Sequence, residues 1–162
     1  MKVVLQRVSE ASVGVVNELG TLDPTFELQQ IAPGFMILVG ITDEDGDKQI
    51  AWLAHKILNL RVFEDAQGKM NRSIQDIGGE ILSISQFTLF ADVHKGNRPS
   101  FIKAGKPEHA DLMWIKFNEA LRSGGVPVKE GRFGAHMRVG LVNDGPVTII
   151  IDTEHDMPDG TR

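Results

Sequence analysis

The sequence predicts an α/β single domain in three layers (α/β/β), with about eight strands in two packed sheets and two main helices on one face. Two observations carry this. Only two stretches show helical periodicity, against about eight that read as strands. Two helices cannot cover both faces of so many strands, so sheet must pack on sheet with the helices outside. The length of 162 residues suits one domain with a substantial core, and no repeat or internal linker interrupts it.

Taken in order, Lys2–Val8 and Ala11–Val16 each read as a strand, with Ser9-Glu10 as a tight connection. Asn17 to Pro33 holds Gly20, Asp23-Pro24 and Pro33, hence a loop with a short strand near Phe26-Glu27-Leu28. Phe35–Ile41 is continuously apolar, a strand covered on both faces. Asp45 or Asp47 can cap the next helix, whose Ile50, Leu53, Ala54, Ile57 and Leu58 share one face. His55 lies off that stripe, as a surface residue. Arg61-Val62-Phe63 reads as a strand, Asp65–Lys69 as its turn, and Met70–Asp76 as irregular.

The run Glu80–Ala91 follows Gly78-Gly79 and begins as a buried strand. Pro107 then suits the first turn of a helix, Glu108 and Asp111 its positive end, and Gly124 its stop. Ala110, Met113, Trp114, Phe117, Ala120 and Leu121 form the apolar face, so the two aromatics belong to the core rather than to a base-stacking platform. Val126–Val128, Met137–Val142 and Val147–Ile151 close the domain, which spans 1–151. Residues 152–162 read as an acidic, mobile tail.

Composition narrows the chemistry. There is no cysteine, which removes disulfides, thiolate metal sites and cysteine nucleophiles. No HExxH, carboxylate-histidine cluster or Walker loop is present, so no metal or nucleotide cofactor is expected. No basic-then-apolar leader opens the chain and no run nears the ~18 apolar residues of a membrane helix, giving a soluble, cytoplasmic expectation with no membrane partner. A net charge of −5 argues against broad electrostatic grip on nucleic acid. Between His94 and Pro107, however, stand Lys95, Arg98, Lys103 and Lys106 with no acid among them. Such a local patch suits contact with a few phosphates, and equally a solvated loop.

Two stretches invite a functional reading. In Ser85-Gln86-Phe87-Thr88, polar residues end an apolar strand, and a buried Gln or Thr must find a partner or lose about 1–3 kcal/mol. Asn143-Asp144-Gly145-Pro146-Val147-Thr148 places a glycine-proline pair before a strand. None of the five histidines has a spacing that ties it to Ser85 or Thr88.

With Gln6-Arg7-Val8 and Ala11-Ser12-Val13, Asn97-Arg98-Pro99-Ser100-Phe101 and Gly131-Arg132-Phe133-Gly134-Ala135, these stretches resemble the D-aminoacyl-tRNA deacylase family, collinearly from Met1 to about Ile151. The Asn17–Pro33 stretch is longer than the family's usual connection. The resemblance implies hydrolysis of the ester of D-aminoacyl-tRNA, releasing D-amino acid and tRNA, as chiral proofreading in translation. Gln86, Phe87 and Thr88 would shape the ester site, with Thr88 a positioner more than a nucleophile, and Ser85 would hold the adenosine end. The tRNA's own 2′-hydroxyl and main-chain atoms would guide the water. Phe87 after Gln86 favours the D-specific family over its L-alanine-removing relative. Gly145-Pro146 would be cis and enter the pocket of the partner in a homodimer, excluding L side chains while glycine passes. Arg7 is either a surface cation or a clamp on that loop, and Lys95, Arg98, Lys103 and Lys106 would meet tRNA phosphates near the acceptor end. The alternatives are a threonine-nucleophile esterase acting through Thr88 and a non-catalytic module that binds the tRNA end.

Overall fold

A computed structural model describes residues 1–158. The chain runs β1 (Lys2–Val15), β2 (Gln29–Ile31), β3 (Gly34–Gly40), α1 (Asp47–Asn59), β4 (Phe63–Glu64), β5 (Met70–Arg72), β6 (Glu80–Ser85), a 3₁₀ turn (Phe87–Phe90), α2 (Pro107–Ser123), β7 (Val128–Glu130), β8 (Met137–Asp152) and α3 (Thr153–Asp156). These eight strands form one sheet of six and one of two. The fold is the expected mixed α/β one, with α1 and α2 as its two long helices.

β1 organises the larger sheet. One edge pairs antiparallel with β3 over residues 2–8 and with β2 over residues 11–13; the other pairs with β8 almost throughout. β6 then adds to β3, and β7 to β6, both in parallel. Alternation along the strands splits the core. Val3, Leu5, Phe35, Ile37 and Ile81 meet Leu53, Ile57 and Phe117 of the helices. Val8, Ala11, Val13, Met36, Leu82 and Ile84 form a second cluster on the opposite face of β3 and β6. Leu5 and Val8 point to opposite faces, as a period of two requires, yet Val8 and Ala11 share one. The register shift between Val8 and Glu10 supplies that change of face, so β1 passes from the helix-covered layer into the layer packed behind it.

Several boundaries differ from the sequence expectation. Ser9-Glu10 is not a turn but the irregular point of one continuous strand, because β8 pairs on both sides of it. Likewise β8 is one strand of 16 residues where two were expected. The short strand expected near Phe26 falls at Gln29–Ile31, and those expected at Arg61–Phe63 and Val126–Val128 fall at Phe63–Glu64 and Val128–Glu130. Met70–Arg72, expected to be irregular, pairs with β4 around a turn held by the Asp65 carboxylate, which accepts from the Gln67 and Lys69 amides and the Asn71 side chain.

Gly46 caps α1, with the Gln49 side chain accepting from its amide. Asp45 instead accepts from the Met1 ammonium and the Thr42 amide. The acidic tail is not loose from Asp152 onward: α3 forms, Thr153 donates its amide to the Met1 carbonyl, and Met157 is buried; the rest of that expected tail lies outside the described residues. No helix among the described residues is long and apolar enough to cross a membrane.

Phe117 has no exposed surface, and Leu112 on the same helix is 51% exposed. Phe117→Ala should therefore lower unfolding free energy by about 3–5 kcal/mol in urea titrations. Leu112→Ala should change it by less than about 0.5 kcal/mol; equal losses would contradict the packing described.

Candidate active site

β6 ends at Ser85, where the Gln86 amide donates to the Val39 carbonyl (2.7 Å) and the chain turns into the 3₁₀ segment. The strand stops where its polar residues begin, as the sequence suggests, and the turn packs closely over the end of β3: a Cβ on Gly40 would lie 2.9 Å from the Phe90 ring and 3.2 Å from the Gln86 carbonyl oxygen. Leu89 and Ala91 donate to the carbonyls of Gln86 and Thr88. Among the described residues, no acceptor meets the amides of Phe87 or Thr88. The Gln86 side chain donates to the Thr88 hydroxyl at 2.5 Å, and both polar groups are at the surface rather than in a buried network.

A cleft of about 640 Å³ opens over this turn. Ser85, Gln86 and Phe87 form part of its lining, Phe101, Ala104 and Gly105 another part, and Phe133 to Met137 the opposite wall. Phe87, 57% exposed, packs edge-on against Phe101 with centroids 5.0 Å apart. That contact ties the 92–106 loop to the site. Lys95, Arg98, Lys103 and Lys106 are all exposed on this loop, and none forms an ion pair among the described residues. The loop is itself anchored by paired bonds between Asp92 and Ser100 and by the Lys106 amide on the Asp43 carboxylate.

Sequence reasoning assigned no role to the 133–137 wall or to the apolar floor from Val39 and Ile41. His136 is the one ionisable residue lining the cleft among those described. The signal was weak because the lining comes from segments far apart in sequence and is mostly apolar. No histidine bonds to Ser85 or Thr88 among the described residues. The one grouping of metal-ligand type among the described residues, Asp152, Glu154 and His155, belongs to the α3 terminus, where Asp152 already caps the helix.

Gly145-Pro146 lies elsewhere. Gln6 pairs with Thr148 and Val8 with Asn143, so five steps along β8 match two along β1, and residues 144–147 bulge opposite Arg7. Arg7 is 7% exposed; its Nε donates to the Asp144 carbonyl (2.9 Å) and its Nη1 to the Val62 carbonyl (2.7 Å). It is a clamp on this loop rather than a surface cation. Asn143 accepts from the Val147 amide and closes the bulge. The Gly145-Pro146 peptide is cis, and both residues are exposed. Neither lines the cleft of its own chain. Arg7 pairs with Phe35 at the start of β3, and Ser85 with Val39 at its end. Four residues of strand separate the two places, about 13 Å at ~3.3 Å each.

The cleft is mostly apolar, with unpaired main-chain amides and a Gln–Thr pair at its turn and exposed cations on the adjoining loop, and no hydroxyl among the described residues is bonded to a base. Such a site can act by positioning and by main-chain donors rather than through a side-chain nucleophile. The comparisons agree. A family described as D-Tyr-tRNA(Tyr) deacylase matches residues 4–152. A D-aminoacyl-tRNA deacylase of Bifidobacterium longum subsp. infantis is 97% identical over the full length of both chains. Among solved structures, the c-Myc DNA Unwinding Element Binding Protein superposes with a TM-score of 0.81 at 44% identity, covering 94% of this chain and 98% of its own. A structure titled as a probable eukaryotic D-amino acid tRNA deacylase shares the fold, with a TM-score of 0.75 at 18% identity over 93% and 97% of the two chains. The chain belongs to the D-aminoacyl-tRNA deacylase family.

Gly145 has φ +137°, and a Cβ there would lie 2.9 Å from the Val147 amide nitrogen and 3.1 Å from Arg7 Nη2. Gly145→Ala should therefore loosen the clamp at a cost of roughly 1–3 kcal/mol, seen as faster amide hydrogen exchange across residues 143–147. Unchanged exchange would show that the bulge does not depend on the glycine.

Proposed function

We propose that the cleft over Gln86, Phe87 and Thr88 is where this hydrolase of D-aminoacyl-tRNA cleaves its ester, releasing D-amino acid and tRNA. The supporting observation is the pair of amides at Phe87, which lines the cleft, and at Thr88, next to it in the same turn, that meet no acceptor among the described residues. An oxyanion formed as water attacks the ester carbonyl needs such donors, preset and without reorganisation. The Gln86–Thr88 bond holds the Thr88 hydroxyl as an acceptor, which suits a positioning group better than a nucleophile awaiting a base. Ser85 at the strand end holds the adenosine, and the substrate's 2′-hydroxyl assists the water. Lys95, Arg98, Lys103 and Lys106 contact acceptor-end phosphates.

Selection by chirality needs rigid backbone close to the α-carbon. Gly145-Pro146 offers backbone without bulk, and Arg7 fixes it, but it lies about 13 Å along the sheet from Ser85. It can serve only another chain's cleft, so a homodimer in which each Gly145-Pro146 enters the partner's pocket is the arrangement that fits. The flanking Val142 and Ile150 are 50% and 67% exposed, apolar area that such a contact would cover. A filter that excludes a side chain passes glycine, so glycyl-tRNA is a second substrate. The cytoplasm, where tRNA is charged, is the matching compartment.

The decisive measurement is ester loss from D-Tyr-tRNA and L-Tyr-tRNA. Selective loss of the D ester is expected. Thr88→Ala should keep much of the activity, while substrate ending in 2′-deoxyadenosine should fail with wild-type protein; the reverse pattern would make Thr88 the nucleophile.

For the basic loop, each lost phosphate contact should shallow the log–log salt dependence of tRNA binding by somewhat under one unit. Arg98→Ala with Lys103→Ala should show about twice that. An unchanged slope would return the loop to plain solvated surface.

A further inference from the structure

The 17–28 segment, between the end of β1 and β2, folds back on the cleft wall. Asn17 turns the chain by accepting from the Leu19 and Thr21 amides, and the Asp23 amide donates to the Val15 carbonyl (2.8 Å). Immediately beside it, the Val16 amide donates to the His136 carbonyl (2.8 Å), a residue of the wall. The end of β1 is thus held between the segment and the wall. Arg132 then crosses from the wall to the segment. Its Nη1 meets the Asp23 carboxylate at 2.9 Å, and its guanidinium lies 5.3 Å from the Phe26 ring centre. Asp23 is held for this contact by accepting from the Thr25 hydroxyl (2.6 Å) and amide (2.8 Å). Thr25, and then Arg132, keep its carboxyl below the usual carboxylate range. Arg138 adds a bond to the Gly20 carbonyl.

Arg132 itself does not line the cleft, whereas the next residues, Phe133 to Met137, do. From the inside the wall is set by the Gly131 amide on the Ser83 carbonyl and by Phe133 against Trp114, 6.2 Å between centroids. Arg132 is the anchor on the solvent side.

We propose that the 17–28 segment is a brace for this wall, with Asp23 and Arg132 as positioning residues that set how the cleft fits the bound aminoacyl end. The proposal rests on the deacylase reading of the cleft. The chemistry is assigned to the Gln86–Thr88 turn on the other side, so loosening the wall weakens binding of ground and transition states alike. That raises KM and spares kcat. Because Arg132 is 44% and Asp23 18% exposed, the effect is modest.

The test is steady-state deacylation of D-Tyr-tRNA by wild type, Asp23→Ala, Arg132→Ala and the charge-swapped double variant Asp23→Arg with Arg132→Asp. Each alanine variant should raise KM about threefold to fivefold, the range an exposed ion pair can carry. The double variant should recover most of this, with kcat and melting temperature nearly unchanged throughout. Asp23→Ala separates the brace from the simplest rival, in which Arg132 contacts a tRNA phosphate directly. Freeing Arg132 would then lower KM or leave it alone, and either result overturns the proposal. A joint fall in kcat and melting temperature overturns it too. Should the wild type fail to deacylate, the site reading fails by itself, and the brace is judged by amide exchange over Gly134–Met137. Faster exchange in Asp23→Ala upholds it; unchanged exchange sinks it.

Discussion

Arg7 carries its charge into a buried position where no acid among the described residues meets it, and much of the architecture follows from how that charge is satisfied. A buried guanidinium is tolerated only where its donors find acceptors. Here they are main-chain carbonyls, of Asp144 in the β8 bulge and of Val62 just before β4. Two separate parts of the chain are therefore tied to one side chain of β1. The bulge has surplus residues that leave the ladder, and their carbonyls would otherwise face outward without a fixed direction. Arg7 gives them one. The same residue that satisfies its own burial also makes a protruding loop rigid.

β1 makes this possible because it is paired along both edges. Its register change between Val8 and Glu10 moves the strand from one layer to the next, and β8 follows it through both layers. The two irregularities are neighbours: the change of face in β1 begins one residue beyond the Arg7 that holds the bulge in β8. A strand that must bend and a partner that must bulge are accommodated in one place. The cleft lies at the other end of the same sheet, where the β3 and β6 ends meet the 3₁₀ turn, so the bulge and the turn are fixed by a common scaffold without touching.

These facts explain what could be read in the sequence. The class, the layering and both long helices were legible because they follow from apolar periodicity, which burial enforces: Ile50, Leu53, Ala54, Ile57 and Leu58 are all buried, and Trp114 and Phe117 are core as their spacing implied. Strand limits were not, because Ser9-Glu10 and Gly145-Pro146 have the local chemistry of turns. Pairing with a distant strand overrode that preference, and pairing is a long-range property. Asp45 was misread for the same reason. As a cap it was plausible, yet the Met1 ammonium claims it from 44 residues away. The motif turn was visible as a polar interruption, but its 3₁₀ form goes with Phe90 and Gln86 packing over Gly40, and the opposite wall offers a single polar side chain, His136, among Phe133, Gly134, Ala135 and Met137.

In the proposed arrangement the discriminating contacts come from main chain rather than from side chains, and this bears on what kind of selectivity the site would hold. A pocket built to hydrogen-bond a substrate group rejects analogues lacking that group, because its own polar atoms are then left unpaired. In the proposed dimer, a mostly apolar cleft closed by the partner's glycine-proline edge would have no such leverage over side-chain identity. It can only exclude volume in one direction from the α-carbon. Amino acids that differ widely in size and polarity would then pass equally, provided the direction is right, while the mirror-image form would meet backbone that Arg7 holds in place. The clamp is thus worth more than its two hydrogen bonds: a gate that could give way by a few tenths of an ångström would not exclude anything. In the proposed dimer, breadth towards side chains and strictness towards handedness would both follow from the same fixed backbone.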